Sequence, residues 1–343
     1  MTAKRIFCAA SALTLALLLG GCGKVDLTMK PMTPEGNDIS DISQQSEISD
    51  VSSADSKTAE PADESSAEDK PVYGDDFVNC TAAICYDLTE DEIIYAKNAD
   101  KRIYPASTTK LLTALTAIEY TAPEYIYYVG SELDMVEQDS SMSWISYGSS
   151  LQRNAILAAM LTPSGNDAAY TIAVNVARKI YGENLSDKEA ADYFCVLMTD
   201  YAKKLGAVNT NFTVPDGYHD ENHYTTASDM LKIAIAAAQS KTILDITSQP
   251  LVIVYDEQGE VHSWKNGNIL LEDTTLPYTV IGLKNGFTDE AGFCFIGYAE
   301  MDGKEIITLT FNCDLEYRFS DTKKLMDLGF GLYDSDYNYY ESY

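Results

Sequence analysis

A serine and a lysine one helical turn apart have the clearest chemical potential in this sequence. Ser107 and Lys110 are three positions apart at the start of a predicted helix, so their side chains share one face. A serine hydroxyl is a weak nucleophile until a base takes its proton, and a neutral lysine amine can be that base in acyl transfer. Taken alone, the pair favours an N-cap serine followed by a surface lysine.

A second polar motif, Ser164-Gly165-Asn166, follows Pro163 between two predicted helices. Such a connection can project both polar side chains into a cleft. The hydroxyl of Ser164 could relay a proton to a leaving group, and Asn166 could orient the lysine amine or a substrate amide. An ordinary helix–helix turn has the same composition, so this motif alone favours the simpler interpretation.

A third motif, Lys284-Asn285-Gly286, ends an apolar stretch that is predicted to form an edge strand. On a strand opposite the nucleophile, Lys284 could bind a substrate carboxylate, and Gly286 would let the substrate approach the backbone. Asn-Gly is also a favoured hairpin pair, so this motif has a structural explanation too. The three motifs in this order favour an acyl-transfer site over three unrelated turns.

The elements that must position these motifs are strands separated by a long helical region. Residues 77–86 and 92–97 are rich in β-branched and aromatic side chains and predict a hairpin. Apolar residues at three- and four-residue spacing then predict helices from Ser107 to about Thr247. The later helices are predicted at 154–161, 168–180, 189–205, 227–239 and 321–328, and the later strands at 251–255, 279–283, 292–298 and 305–311.

This order predicts an α+β fold in which a mainly antiparallel sheet is covered by helices. The helical part is expected to be an inserted all-helical region, and no second sheet-forming segment is expected. The folded region is predicted at 76–333, followed by a Tyr-rich acidic tail at 334–343, so we expect no C-terminal β domain.

The N-terminal residues predict export and lipid attachment. The apolar run after Lys4 and Arg5 is too short to span a bilayer and indicates a signal peptide at 1–21. The small residues before Cys22 resemble a bacterial lipobox, whose lipidated thiol would anchor an extracytoplasmic protein to the membrane; a cleaved signal with an incidental Cys22 is the alternative. Residues 22–75, rich in Ser, Asp and Glu, predict a disordered acidic tether.

The net charge and the spacing of the histidines argue against several classes of partner and cofactor. A net charge of −29 and a pI near 4.2 argue against nucleic-acid binding and against electrostatic attachment to anionic lipids. His219 and His223 do not have the spacing of a zinc-peptidase helix and follow a Pro-Asp-Gly loop. We therefore expect hydrogen bonding within that loop, no metal and no cofactor.

Five cysteines follow Cys22, an odd number without close pairs, so no disulfide framework or zinc ribbon is predicted. Cys294 and Cys313 lie in apolar, strand-like stretches. We expect both to be small buried packing residues.

The segments around the three motifs carry a family resemblance. Residues 103–115, 161–169 and 281–288 are similar to the low-molecular-mass penicillin-binding D-alanyl-D-alanine carboxypeptidases, and the similarity extends to residues 211–217, 223–227 and 291–294. The similarity covers about residues 76–331. The Ser-Gly-Asn form of the second motif favours these peptidases over class A β-lactamases, which have Ser-Asp-Asn.

This resemblance implies a serine D,D-carboxypeptidase that removes the terminal D-alanine of peptidoglycan stem peptides through an acyl-enzyme on Ser107. β-Lactams would acylate the same serine, and the backbone N–H groups of Ser107 and Phe287 would form the oxyanion hole. The implied catalytic residues are Ser107, Lys110, Ser164 and Asn166. The implied substrate-binding residues are Lys284, Asn285, Gly286, Phe287, Thr288 and, as a weaker candidate, Arg318.

Two departures from the family leave alternatives open. The third motif usually reads Lys-Thr-Gly, so Asn285 would have to replace a hydroxyl group with an amide N–H. Many relatives continue into a small β domain and an amphipathic membrane helix, which an N-terminal lipid would replace here. A β-lactamase, for which we find no Glu-x-x-Leu-Asn string, a peptidoglycan-binding lipoprotein with little turnover, and an endopeptidase acting on crosslinked strands are the other possibilities.

Overall fold

The computed structural model describes residues 73–340. The predicted signal peptide, Cys22 and nearly all of the tether lie outside the described residues. The strands are β1 (Ala82–Asp87), β2 (Glu92–Lys97), β3 (Ile126–Tyr128), β4 (Ser150–Gln152), β5 (Leu251–Tyr255), β6 (Val261–Lys265), β7 (Thr279–Thr288), β8 (Gly292–Met301) and β9 (Lys304–Cys313). The helices are α1 (Lys110–Tyr120), α2 (Arg153–Leu161), α3 (Asn166–Tyr181), α4 (Asp187–Lys204), α5 (Ala227–Ala238), α6 (Lys241–Thr247) and α7 (Arg318–Gly329).

Both ends of the described chain contribute to a five-stranded sheet. Its order is β2-β1-β9-β8-β7 and every neighbouring pair is antiparallel, which confirms the predicted α+β fold. β1 is buried along its whole length because it lies between β2 and β9, with helices on the two faces. The first strand begins at Ala82 rather than at residue 77.

A disulfide joins the two parts of the chain that form this sheet. Cys80, just before β1, is bonded to Cys313, the last residue of β9. The expectation that Cys313 serves only in packing was therefore wrong. The pairing depends on β1 and β9 lying side by side, which is invisible in the local sequence, whereas Cys294 is buried and unpaired as predicted.

The helices from α1 to α6 form the layer that carries most of the core. Their bounds follow the predictions closely because apolar residues recur on one face, and α1 itself buries Leu111, Leu112 and Leu115. The inserted region is not all-helical, however. β3 and β4 form a two-stranded sheet in which Tyr127 is fully buried, and its hydroxyl group is hydrogen-bonded to Thr121.

A further two-stranded sheet, β5–β6, lies apart from the main sheet, so the expectation of no second sheet was wrong. Side chains alternate along it, with Val252 and Trp264 buried and Ile253 exposed. Trp264 donates a hydrogen bond from Nε1 to the carbonyl oxygen of Ser143 at 2.8 Å. The hairpin is thus attached to the segment that follows α1 and β3.

The helix α7 and the start of the tail cover the other face of the main sheet. The buried carboxylate of Asp321 on α7 accepts hydrogen bonds from the backbone N–H of Asn79 at 2.7 Å and from the Tyr340 hydroxyl at 3.2 Å. Tyr339 is 3% exposed, so this residue of the Tyr-rich tail packs against the domain, whereas residues 334–338 are exposed. Between residues 73 and 340, no helix combines the length and apolar character that crossing a membrane requires.

Candidate active site

The predicted nucleophile lies in a 3₁₀ turn, Ala106–Thr109, that leads directly into α1. Residues i and i+3 lie one above the other in 3₁₀ geometry, which brings Ser107 and Lys110 together. Lys110 Nζ is 2.9 Å from Ser107 Oγ and donates a hydrogen bond to it. The predicted helix start is confirmed, and its first turn is tighter than an α-helix.

The amine of Lys110 is buried in a polar pocket. Besides Ser107, it donates hydrogen bonds to Asn166 Oδ1 and to the carbonyl oxygen of Asp216, both at 2.7 Å. Burial lowers the pKa of Lys110 to about 8, against the opposing negative charges of Asp216 and Asp167. Roughly one Lys110 amine in ten is then neutral at pH 7, which makes it a usable general base.

The second motif forms the connection between α2 and α3. Ser164 has φ 65° and Asn166 is the first residue of α3, and both line the same cleft as Ser107. Asn166 Nδ2 donates to Ser140 Oγ at 2.9 Å, so the amide is fixed with its oxygen towards Lys110. At Gly165, a Cβ would lie 2.7 Å from the carbonyl oxygen of Ala159, so no larger residue fits.

A buried carboxylate that the sequence did not predict as part of the site, Asp167, lies next to this motif. Asp167 Oδ1 accepts hydrogen bonds from the backbone N–H and the hydroxyl of Ser143, at 2.9 and 2.8 Å, and Oδ2 accepts from the N–H of Ile145 at 3.3 Å. These contacts hold the segment that brings Ser140 and Ser141 to the cleft wall. Acidic residues are common in the first turn of a helix, so the sequence does not distinguish Asp167 from an ordinary residue at a helix start.

The third motif lies within β7, the edge strand of the sheet, not at its end. Asn285 pairs with Phe295 and Gly286 with Cys294, so the alternative of an Asn-Gly hairpin turn is wrong. A Cβ on Gly286 would lie 2.7 Å from the backbone nitrogen of Ser107. The glycine is thus required for β7 to pack against the nucleophile turn, in addition to any role in substrate approach.

A second glycine supports the same turn from another side. Gly217 has φ +82°, and a Cβ there would lie 1.9 Å from the carbonyl oxygen of Ala106, itself at φ 47°. The turn that carries Ser107 therefore lies between Gly217 and Gly286. Any side chain at either position would displace the nucleophile.

Lys284 lies beneath the cleft wall and not on it. Its side chain is 1% exposed, and Nζ donates hydrogen bonds to the carbonyl oxygen and to Oδ1 of Asn285, at 2.9 and 3.1 Å. Burial lowers its pKa well below the usual range, and the charge of Lys110 lowers it further. Since Oδ1 of Asn285 is engaged by Lys284, Nδ2 is the group of that amide able to donate to a ligand.

The cleft has a volume of about 380 Å³. Of the predicted site residues, its wall includes Ser107, Ser164, Asn166, Asn285, Gly286, Phe287, Thr288 and Arg318. The three motifs, distant in sequence, therefore meet in one cleft, with Lys110 and Lys284 behind its wall.

Arg318 supplies a cation on this wall. It is the first residue of α7, and its guanidinium lies 4.8 Å from the centre of the Phe293 ring and 4.4 Å from that of Phe319. Partial burial lowers its pKa, and its Nε atom has no hydrogen-bond partner among residues 73–340. A guanidinium beside aromatic rings on the cleft wall suits an anionic ligand.

The two loop histidines differ in their surroundings. His223 is buried, and its Nδ1 accepts a hydrogen bond from the Thr213 N–H at 3.1 Å while Nε2 is 2.8 Å from Thr109 Oγ1. Burial lowers the pKa of His223 to about 3, so it stays neutral. His219 lies on the cleft wall, with Nδ1 3.7 Å from Glu290 Oε2. Hydrogen bonding of His223 within the loop is confirmed.

The pattern of the peptidase S11 family, described as D-alanyl-D-alanine carboxypeptidase, matches residues 67–314 and includes all three motifs. The chain belongs to the S11 D-alanyl-D-alanine carboxypeptidase family. This S11 peptidase is therefore a hydrolase of the penicillin-binding, D-alanyl-D-alanine carboxypeptidase class, as the sequence resemblance predicted.

Individual relatives agree with this assignment. The S11 peptidase is 29% identical over 250 residues to a D-alanyl-D-alanine carboxypeptidase of Streptomyces sp. strain K15, covering 70% of this chain and 83% of the relative. It is 25% identical to the carboxypeptidase DacF of Bacillus subtilis, covering 74% of this chain but only 63% of the relative. Its S11 domain thus spans less than two thirds of some longer relatives.

Solved structures share the fold. The Streptomyces K15 DD-transpeptidase aligns with a TM-score of 0.67 and 26% identity, covering 77% of this chain and 99% of that chain. The cefotaxime-bound penicillin-binding protein D2 of Listeria monocytogenes aligns with a TM-score of 0.61 and 30% identity, covering 76% of this chain and 99% of that chain.

Proposed function

We propose that this protein removes the C-terminal D-alanine from peptides ending in D-Ala-D-Ala, through an acyl-enzyme on Ser107. The observation that carries the proposal is the buried amine of Lys110, in hydrogen-bond contact with both Ser107 Oγ and Asn166 Oδ1 at the wall of one cleft. An amine with a pKa of about 8 beside a serine hydroxyl is the arrangement that nucleophilic acyl transfer needs.

Acylation begins when the neutral amine of Lys110 takes the proton of Ser107. The Oγ atom then bonds to the carbonyl carbon between the two D-alanines, and the negative charge on the carbonyl oxygen is stabilised by the backbone N–H groups of Ser107 and Phe287. The position of the Ser107 N–H against Gly286 on β7 supports this pairing of donors, because it brings the nucleophile turn next to Phe287.

Ser164 relays the proton to the leaving amine as the peptide C–N bond breaks, which releases D-alanine. Its place on the cleft wall, one residue from the Gly165 turn and two from Asn166, supports this role. In the second half of the cycle, Lys110 takes a proton from water, the hydroxide attacks the ester, and Ser107 recovers its proton. The net reaction is hydrolysis.

The substrate carboxylate is bound by Arg318 and by the Nδ2 amide group of Asn285. Both line the cleft, and both side chains carry N–H groups that can donate to a carboxylate. Lys284 contributes indirectly, since its bond to Oδ1 of Asn285 fixes which end of the amide faces the ligand. This assignment gives the unusual Asn285 a role equivalent to the threonine hydroxyl of related enzymes.

The experiment is incubation of the purified chain with a pentapeptide ending in D-Ala-D-Ala, with free D-alanine measured. Ser107→Ala should abolish release, whereas Ser248→Ala, at an exposed serine, should leave it unchanged. Mass spectrometry after treatment with penicillin should find a covalent adduct on the peptide that contains Ser107. Persistent release by Ser107→Ala would reject the mechanism.

The same assay separates the rival activities. Rapid turnover of penicillin would indicate a β-lactamase, and D-alanine-containing products from crosslinked dimers alone would indicate an endopeptidase. A stable penicillin adduct without D-alanine release would indicate a peptidoglycan-binding protein with little turnover.

We further propose that the enzyme works outside the cytoplasm, attached to the membrane by a lipid on Cys22 and reaching its substrate over the 22–75 tether. The disulfide between Cys80 and Cys313 supports an oxidising compartment. Labelling with a radioactive fatty acid followed by membrane fractionation tests the anchor. Cys22→Ser should lose both label and membrane association, and retention of the label would refute lipidation at this residue.

A further inference from the structure

Three potential metal ligands converge at the turn of the β5–β6 hairpin. One ligand atom from each of Asp256, Glu260 and His262 lies within 4.8 Å of the other two. Asp256 and His262 are 5% and 8% exposed, whereas Glu260 is exposed at the mouth of the group. None of the three lines the active-site cleft.

The buried atoms of this group lack hydrogen-bond partners. Within residues 73–340, neither Asp256 Oδ2 nor His262 Nε2 has a hydrogen-bond partner, although each is inaccessible to solvent. Leaving a buried polar atom without a hydrogen-bond partner is unfavourable, so such atoms in a folded protein call for an explanation. Two such atoms that face each other in one group suit a shared ligand.

The distance between these two atoms suits a common metal ion better than a hydrogen bond. Asp256 Oδ2 and His262 Nε2 are 3.7 Å apart, beyond hydrogen-bond range. Two ligands on a tetrahedral Zn²⁺, each bound at about 2.0–2.2 Å, lie about 3.4 Å apart. A shift of a few tenths of an ångström would give both atoms coordination distance.

The turn forms its hydrogen bonds with only one carboxylate oxygen of Asp256, which leaves Oδ2 available. The other carboxylate oxygen, Oδ1, accepts backbone hydrogen bonds from Gln258 at 3.0 Å and from Glu260 at 2.7 Å, which closes the turn. The imidazole of His262 is stacked on Trp264, with ring centres 5.4 Å apart and planes at 15°. Both ligands are thus oriented before any ion arrives.

We propose that Asp256, Glu260 and His262 bind a divalent transition-metal ion such as Zn²⁺, with water as the fourth ligand. One imidazole and two carboxylates form a ligand set that zinc accepts, and the two negative charges compensate the ion. The metal links the turn to β6, whose Trp264 is hydrogen-bonded to Ser143. Its role is to stabilise the hairpin against the segment beside the cleft, not to take part in hydrolysis.

The experiment is calorimetric titration of the full chain with Zn²⁺ after chelator treatment and removal of the chelator. One ion per chain should bind, and Asp256→Asn and His262→Gln should each weaken binding at least about tenfold. Asp256→Asn keeps an oxygen that accepts the two turn hydrogen bonds, so the hairpin should still form. Glu257→Gln, at an exposed acid in the same turn, is the matched control and should bind as the parent does.

Histidine resonances distinguish this site from the cleft. The chain has three histidines, and Zn²⁺ should shift the imidazole signals of His262 but not those of His219 or His223. Absence of saturable binding, or undiminished binding by Asp256→Asn, would overturn the proposal and leave a buried contact between Asp256 and His262. A shift of His219 alone would overturn it in favour of a cleft site. D-alanine release is measured separately, so the two proposals can fail independently.

Discussion

Replacing Gly286 with alanine should disable the active site without unfolding the protein. The added Cβ would lie 2.7 Å from the backbone nitrogen of Ser107 and 3.1 Å from both Ala106 Cβ and the nitrogen of Thr108. Ordinary contacts are about 3.4 Å or longer, so the turn and β7 must separate by about 0.7 Å. This displacement moves the Ser107 N–H and Oγ relative to the Phe287 N–H.

The expected loss of activity follows from the displacement of the nucleophile and of an oxyanion-hole donor. A misplacement of this order, or loss of one oxyanion donor, lowers kcat by about 100- to 1000-fold. We therefore expect Gly286→Ala to slow both acylation by a fluorescent penicillin and release of D-alanine by at least about 100-fold. Circular dichroism and thermal unfolding should verify that the variant is folded.

A matched glycine elsewhere provides the control. At Gly74, an added Cβ would approach the carboxylate of Asp76 alone, at 2.7 Å, and that side chain can turn away into solvent. Gly74→Ala should therefore react with penicillin at the parent rate. If folded Gly286→Ala were acylated within about threefold of the parent rate, the account of β7 packing against the nucleophile would be refuted.

Three other predictions concern the base, the carboxylate contact and the disulfide. Because the pKa of Lys110 is lowered to about 8 and the neutral amine is the base, the acylation rate should rise about tenfold per pH unit below pH 7 and level off above pH 8; a flat profile would contradict this role. Asn285→Ala should lower kcat/KM for the pentapeptide about 10- to 100-fold through loss of a charge-assisted hydrogen bond, and a peptide with a C-terminal amide should show no such difference. The double variant Cys80→Ala, Cys313→Ala should lower the free energy of unfolding in urea by about 2–5 kcal/mol with little change in acylation rate, whereas unchanged stability would show that the bond is dispensable.

Long periodic segments were predictable from the sequence, and short strands were not. α3 and α4 carry apolar residues on one face over several turns, so their existence was evident. β3 and β4 have three residues each, too few to establish an alternating pattern, and their pairing depends on the fold around Tyr127. β5 was predicted as a strand but its partner β6 was not, so its pairing in a separate hairpin could not be distinguished from a place in the main sheet.

The residues that form the candidate site were predictable from the sequence, but the burial and hydrogen-bond partners of their side chains were not. The three motifs were identified by residue type and order and Arg318 by the family resemblance, and the structure places residues of all of them at one cleft. The burial of Lys284 depends on which side of β7 faces inward, and the role of Asp167 depends on a segment more than twenty residues away. Neither relation has a local signature.

Because the nucleophile turn lies between Gly217 and Gly286, Ser107 should become reactive only after these later parts of the chain have folded. Ser107 and Lys110 are synthesised early, but the surfaces that hold their turn belong to the loop before α5 and to β7, far later in the chain. A partly folded chain should therefore contain an unreactive serine at this position. Covalent capture of a β-lactam should then report completed folding of the domain.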